Sequence, residues 1–140
     1  MSTKPKRPLS GCPIDYALSV FGDRWSLLII RDIAIKGAKT YAELLEGWEG
    51  ISTNILAQRM KHLEEKGIVE KHKNPANWRS SIYELTPKGR ALAPLLAELV
   101  LWGGTYNDAG EPMRDTYDAV QSDRAEFERA IRETQRPAGR

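Results

Sequence analysis

The stretch from residue 40 to 85 restricts the fold of this chain more than any other part. Two segments with helical apolar spacing, "YAELLEGW" and "NILAQRMKHLEEK", are joined by a short turn that contains Gly50. Two segments with strand-like alternation follow, "IVEKHK" and "IYEL", separated by the turn-rich loop "NPANWRSS". Two helices joined by a tight turn form a helix-turn-helix, and a hairpin directly after them forms a wing. The sequence therefore predicts a mainly α-helical protein with a small β-hairpin wing, an α+β winged helix-turn-helix.

Helix signals also organise the rest of the chain. Pro13 starts a helix that ends at Gly22, and Asp23 caps the next one, "RWSLLIIRDIAIKG", which is apolar on most sides and therefore central. Thr86 and Pro87 start a long helix that is predicted to run to the Gly pair 103–104. One last amphipathic helix is predicted over residues 114–134.

These elements predict three regions. Residues 1–10 form a flexible basic arm, because they are rich in Pro and short of apolar residues. Residues 11–106 form the winged helix-turn-helix domain. Residues 107–140 form an acidic C-terminal helical extension, which either adds to a dimer or hangs loose.

Length and composition exclude several classes of protein. At 140 residues, of which 41% are hydrophobic, the chain suits one domain with an ordinary core. No apolar run approaches the roughly 18 residues of a membrane span, and no apolar segment follows the basic N-terminus as in a secretory signal. The single cysteine, Cys12, excludes a disulfide scaffold and is far along the chain from both histidines. We therefore expect a cytoplasmic protein with no membrane contact, no metal and no cofactor.

Charge is distributed unevenly along the chain, although the net charge is only +2. Residues 51–90 contain eight Lys or Arg and four Glu, which gives +4, whereas residues 107–135 contain four Arg and eight acids, which gives −4. A local basic surface is what a polyanionic partner such as duplex DNA requires. The middle of the chain is therefore the candidate binding region.

The helix after the Gly50 turn has an apolar face and a polar face. With about 100° per residue, Met60 and Leu63 lie within about 40° of Leu56 and are buried with it. The opposite face, about 140° to 200° away, is formed by Asn54, Gln58 and Lys61. In a helix-turn-helix the second helix enters the major groove, where Asn and Gln pair with adenine and Lys pairs with guanine or phosphate. The alternative is that this face is simply solvated.

Two neighbouring regions complete the predicted site. Residues 52 and 53 lie at the helix N-terminus, where a phosphate binds well. In the wing, Arg79 is expected to enter a minor groove, the alternative being a surface cation, and Trp78 either contacts DNA or packs under the wing. The predicted DNA-binding residues are Ser52, Thr53, Asn54, Gln58, Arg59, Lys61, Lys73 and Arg79.

Taken together, these segments resemble the HxlR-type transcription regulators, which are winged-helix proteins related in fold to MarR-type regulators. The resemblance covers residues 9–106 and rests on "CPIDYALSVFGDRWSLLIIRDI", "YAELLEGWEGISTNILAQRMKHLEEKGIVEK", "YELTPKGRAL" and "WGG". It implies a homodimer on a pseudo-palindromic double-stranded operator, with the first and last helices forming the dimer interface. The wing departs from the Pro-Pro-Arg-like tip that is common in the family.

Cys12 is a candidate sensor. It precedes Pro13, so it lies at or next to a helix N-terminus, where the dipole favours a thiolate. Many HxlR-like proteins have a cysteine at the matching position, and in several it senses oxidants or electrophiles such as quinones or aldehydes. With one cysteine, the reactions left are alkylation, oxidation with a small thiol, or a disulfide between subunits. The alternative is an ordinary packed cysteine.

Two hypotheses about function follow. The first is a dimeric, sequence-specific transcriptional regulator. The alternative is a winged-helix protein-interaction module without specific DNA binding, which would present apolar anchors where this chain presents amides and an amine. An enzyme is not expected, because no Ser/His/Asp grouping or phosphate loop is present. The carboxylates of Asp23, Asp32 and Glu43 are interpreted as helix caps and helix-surface groups.

Overall fold

The second helix lies at the centre of the molecule, as its apolar sequence predicts. In the computed structural model, which describes residues 8–107 and 113–134, this helix is α2 (Ser26–Ala34). The side chains that form its buried face, each at most 3% exposed, are Ile29, Ile30 and Ile33. The Asp23 carboxylate accepts hydrogen bonds from the N–H groups of Trp25 and Ser26 at 2.9 Å. Asp23 therefore closes the turn that leads into this helix, whose N-cap residue is Trp25 rather than the predicted Asp23.

The other elements follow the predicted order up to the wing. The helices are α1 (Pro13–Phe21), α3 (Tyr41–Leu45) and α4 (Thr53–Glu65). The wing consists of the antiparallel strands β1 (Val69–Lys73) and β2 (Ser81–Leu85), which pair from end to end. The prediction of a winged helix-turn-helix is thus confirmed.

Local contacts fix the wing relative to the helix-turn-helix. Thr40 and Glu43 form a capping box at the start of α3, with both hydrogen bonds at 3.2 Å. The Tyr83 N–H donates to the Lys39 carbonyl at 2.8 Å, which joins β2 to the chain entering α3. The ring of Tyr83 packs 5.6 Å from that of Tyr41, and burial raises its pKa to about 12, so the phenol stays neutral. These contacts attach β2 of the wing to the start of α3.

The helix predicted after Thr86 is divided in two. Thr86 caps α5 (Pro87–Arg90), as predicted, but the chain then turns before α6 (Ala93–Tyr106) begins. Pro94 has no N–H to bond the Arg90 carbonyl, and its ring crowds that carbonyl, which breaks the helix. The prediction of a single helix ending at the glycine pair was therefore wrong, because both glycines lie inside α6.

The described part of the acidic extension, residues 113–134, contains two helices where one was predicted. These are α7 (Arg114–Ser122) and α8 (Arg124–Thr134), separated by Asp123 with φ −157° and ψ 81°. The Asp123 carboxylate accepts the Glu126 N–H at 3.1 Å, so it ends one helix and starts the next. The periodicity of the sequence spans both helices, which is why it does not reveal the break.

The described part of the extension packs against the domain. Val120 and Ile131 are at most 3% exposed. The α7 helix lies close to α6 because Gly104 has no side chain: a Cβ there would overlap the ring of Tyr117. Arg124 donates to the Pro94 carbonyl at 3.1 Å and so ties α8 to the start of α6. The prediction of a flexible arm at residues 1–10 falls largely outside the described residues.

Candidate nucleic-acid interface

One face of α4 is buried and the opposite face is free to contact a partner. Leu56, Met60 and Leu63 are at most 1% exposed and form part of the core. The outward face presents the exposed side chains of Asn54, Gln58 and Lys61. The helical geometry predicted for this segment is therefore confirmed.

The start of α4 exposes its backbone donors. Ser52 is the N-cap, and its hydroxyl accepts the Ile55 N–H at 3.2 Å. Both Ser52 and Thr53 are exposed. No acidic residue lies in the first turn, so the partial positive charge of the helix end is not neutralised locally. This end of the helix is suited to a phosphate.

Arg59 differs from the other predicted residues of α4. It is half-buried, and its guanidinium forms an ion pair with Asp23 at 3.2 Å. This contact fastens the middle of α4 to the start of α2. The structure thus gives Arg59 a role in positioning α4, and a direct DNA contact by this residue stays a prediction.

The wing presents the remaining predicted residues. Lys73 lies at the end of β1 and Arg79 in the tip loop, and both are exposed. Trp78 is 76% exposed, so it does not pack under the wing. The sequence left two placements open for Trp78, contact with DNA or packing under the wing. The exposed indole excludes packing under the wing in the free protein.

Sequence reasoning missed a charged cluster beneath the α3–α4 turn. Arg31, on the buried side of α2, donates two hydrogen bonds to Glu49 at 2.7 and 2.8 Å and one to Asp32 at 2.9 Å. Its guanidinium also lies 5.3 Å from the ring of Trp48. The interpretation of Asp32 as a helix-surface group was wrong, because this residue is only 6% exposed. The signal available in the sequence was an Arg-Asp pair inside the apolar run "LLIIRDIAI".

This cluster holds the turn that leads into α4. Hydrogen bonds from Arg31 keep the pKa of Glu49 below its usual range, against the opposing effect of burial. The two partners therefore stay charged, and the bidentate geometry fixes the direction of the chain at the turn. Because α4 begins four residues after Glu49, Arg31 orients the candidate binding helix from its buried side.

Cys12 lies where its sequence context predicts. It is the N-cap residue of α1, it is exposed, and its thiol is free. Two contacts connect α1, the helix that begins after Cys12, to α4. The His62 ring nitrogen Nε2 bonds the Val20 carbonyl at 2.8 Å, and Lys88 donates at 2.7 Å to both the Tyr16 hydroxyl and the Lys66 carbonyl.

Apolar side chains on α1 and α6 are exposed to solvent. Ile14 and Leu18 on α1 are 68% and 56% exposed, and α6 exposes Leu99, Trp102 and Tyr106. Within each helix these side chains are three or four positions apart and so share one face, and grouped apolar surface of this kind is typical of a protein–protein interface. These are the helices that the family resemblance places near a dimer interface.

Within residues 8–107 and 113–134, no helix is long and apolar enough to cross a membrane. No group of three or more His, Cys, Asp or Glu in that part of the chain is arranged to hold a metal ion.

The second helix of the two-helix unit has a buried apolar face and an exposed row of amide and ammonium groups, and a wing with exposed basic residues adjoins it. These features define the class of winged helix-turn-helix regulators. The family model described as "HxlR-like helix-turn-helix" matches residues 20–111. The chain belongs to this family of transcriptional regulators and is not an enzyme.

Individual relatives agree with this assignment. The HTH-type transcriptional regulator YodB of Bacillus subtilis (strain 168) is 37% identical over 101 residues, which cover 71% of this chain and 89% of YodB. The reduced form of YodB superimposes with a TM-score of 0.57 at 36% identity, covering 71% of this chain and 98% of YodB. The redox regulator HypR in its oxidized form superimposes with a TM-score of 0.60 at 28% identity, covering 70% of this chain and 100% of HypR.

Proposed function

We propose that this protein is a homodimeric regulator that binds a pseudo-palindromic DNA operator sequence-specifically. The observation that carries the proposal is the exposed row on α4, Asn54, Gln58 and Lys61, behind which the apolar face is buried. Amide side chains pair bidentately with adenine, and an ammonium group pairs with guanine or phosphate. A protein-interaction module would instead need apolar anchors on this face.

In this proposal the wing and the N-terminus of α4 contact the sugar-phosphate backbone of the DNA. Lys73 and Arg79 lie along the phosphates beside the groove, and the N-terminus of α4 receives one phosphate directly. The exposed apolar faces of α1 and α6 join two subunits. Two copies of α4 then enter successive major grooves, about 34–36 Å apart.

The salt dependence of binding tests this mode. A duplex that the protein selects from genomic fragments is expected to lose about 1,000-fold in affinity between about 50 and 200 mM salt, because each subunit neutralises about three phosphates. Lys61→Ala should reduce the steepness of the plot of log affinity against log salt: the magnitude of its slope should fall by about 1 for each phosphate contact removed. Arg132→Ala, an exposed cation on α8, is the matched control and should leave the slope unchanged. A nearly salt-independent affinity in the wild type would contradict the proposal.

Cys12 makes the regulator responsive to electrophiles in this proposal. Structures of YodB have been solved in a quinone-bound and a diamide-treated form. The exposed N-cap thiol of this chain supports a response of this kind: its sulfur would add to a ring carbon of a quinone, and the adduct would take up the thiol proton to become a substituted hydroquinone. The adduct would stand next to Ile14, at the surface proposed to join the subunits.

The contacts between α1 and α4 connect a change at Cys12 to the helix that is proposed to bind DNA. The Val20 carbonyl bonds His62 of α4, and the Lys88 ammonium bonds both the Tyr16 hydroxyl and the carbonyl of Lys66, the C-cap residue of α4. A shift of α1 therefore moves the end of α4 relative to its partner across the dimer. Such a shift changes affinity only because the adduct is accommodated differently in the two arrangements.

Cys12→Ser tests the sensor. We expect 1,4-benzoquinone to release the selected duplex from the wild type but not from C12S, since serine does not add to the quinone at neutral pH. Fluorescence anisotropy of labelled DNA measures release, and intact mass confirms one adduct per wild-type subunit and none in C12S. Equal release from both proteins would show that the response does not pass through Cys12.

A further inference from the structure

The tip of the wing carries an indole that the fold does not use. Trp78 is 76% exposed, the highest value among the exposed large apolar side chains of the described residues. An open cleft of about 670 Å³ lies between the wing and α3, and Arg79 lines it whereas Trp78 does not. The indole is thus neither part of the core nor part of this cleft.

The loop that carries Trp78 is ordered by its own hydrogen bonds. The Asn74 side chain accepts the Ala76 N–H and donates to the Ser80 hydroxyl, both at 2.9 Å. The Asn77 side chain accepts the Arg79 N–H at 3.1 Å. These side-chain hydrogen bonds brace the loop backbone on both sides of Trp78. A binding event that uses the indole therefore loses little conformational entropy.

The charge around the tip selects the kind of partner. Residues 73–81 contain Lys73 and Arg79 and no acidic residue. The Arg79 guanidinium lies 5.8 Å from the centre of the Trp78 ring, so the cation and the indole are presented together. An aromatic wedge beside a cation suits the minor groove, whose walls are deoxyribose and whose rims are phosphate.

We propose that Trp78 is a nonionic anchor that enters the minor groove flanking the site read by α4. This inference rests on the proposed function, because it requires α4 in the adjacent major groove. The indole packs on deoxyribose and base edges, and Arg79 neutralises the neighbouring phosphates. Trp78 therefore contributes affinity without displacing counterions, which separates its effect from that of every basic residue in the interface.

Salt titration of four proteins tests this division of roles. The wild type, Trp78→Ala, Trp78→Phe and Arg79→Ala are titrated with the duplex that the wild type selects from a random library. W78A is expected to bind about tenfold more weakly at every salt concentration, as loss of a buried Trp anchor does, with an unchanged slope. W78F should keep most of the affinity. R79A, the matched neighbour, should instead reduce the slope by about 1 per contact.

Tryptophan fluorescence gives a second readout. DNA should change the emission of the wild type, and the change should be largely absent in W78F, which retains the other three tryptophans. Equal thermal unfolding of all four proteins verifies that the exposed substitutions leave the fold intact. Unchanged affinity in W78A, or a slope that falls as in R79A, would overturn the anchor while leaving the proposed function in place. Failure of the wild type to select any duplex would instead overturn the proposed function, and this inference with it.

Discussion

Alanine at both Asn54 and Gln58 is expected to remove most of the preference for the operator while leaving binding to unrelated DNA nearly unchanged. Both amides are exposed on α4 and make no contact that the fold needs. Each bidentate pair with adenine supplies about 1–3 kcal/mol of discrimination. Losing both should lower the ratio of specific to non-specific affinity about 100-fold or more. Competition between the selected duplex and a scrambled duplex measures this ratio.

A control in the same chain separates this effect from a general loss of DNA affinity. Gln121→Ala removes an exposed amide of the same type from α7, far along the chain from the helix-turn-helix, and should leave the ratio unchanged. Thermal unfolding should be nearly the same for all three proteins, because the substituted side chains are solvent-exposed. If the folded double variant discriminates between the two duplexes as well as the wild type does, α4 is not the reading element.

Arg31→Met is expected to destabilise the protein by about 3 kcal/mol. Methionine fills much of the same space, but it leaves the carboxylates of Asp32 and Glu49 near each other without the guanidinium that joins them. The α3–α4 turn then loses its attachment to α2, so operator preference should fall together with stability. Chemical denaturation gives the free energy of unfolding, and the competition assay gives the preference.

The pH dependence of stability offers a more specific readout for the same variant. The folded-state pKa of Glu49 is lowered, so its stabilising contribution is fully present above the unfolded pKa and is lost as pH falls through the folded value. R31M should lack much of this acid-side loss, since the partner that lowers the pKa is gone. The double variant R31M/E49M should lose less stability than the two single variants combined.

Arg129→Met is the matched control for Arg31→Met. Arg129 also pairs with two carboxylates, Glu126 and Glu133, but its side chain is 55% exposed on α8. Exposed ion pairs are screened by water and contribute little, so its melting temperature should barely change. Equal melting temperatures for R31M and R129M would show that the cluster under the turn does not hold the fold together.

Much of the fold could be predicted from short-range sequence signals. The start of α4 follows from the capping Ser52, and its buried face follows from the spacing of Leu56, Met60 and Leu63. The outward direction of Asn54 and Gln58 is then a geometric consequence, since side chains about 160–200° from a buried residue face solvent. The exposed face of α4 was therefore predictable residue by residue, apart from the half-buried Arg59, and contact of these residues with DNA stays a prediction.

The helix breaks and the direction of one exposed side chain were predicted less well. The chain breaks at Pro94 and Asp123 lie inside patterns that remain amphipathic on both sides, so periodicity alone extends each helix across them. The direction of Trp78 was open because an indole suits a core as well as a surface. The folded wing places it at the tip loop with 76% of its surface exposed.

The sequence by itself determined which segments are helices, where the wing lies and which face of α4 is polar, because these properties depend on residues close together in the chain. Tertiary structure alone decided that Arg31 joins Glu49 across 18 positions of sequence, that Arg59 pairs with Asp23, and that α7 and α8 pack against α6. Those contacts depend on which distant groups meet when the helices pack. Charge and apolarity in a sequence show that a side chain needs a partner, but not which partner the fold brings to it.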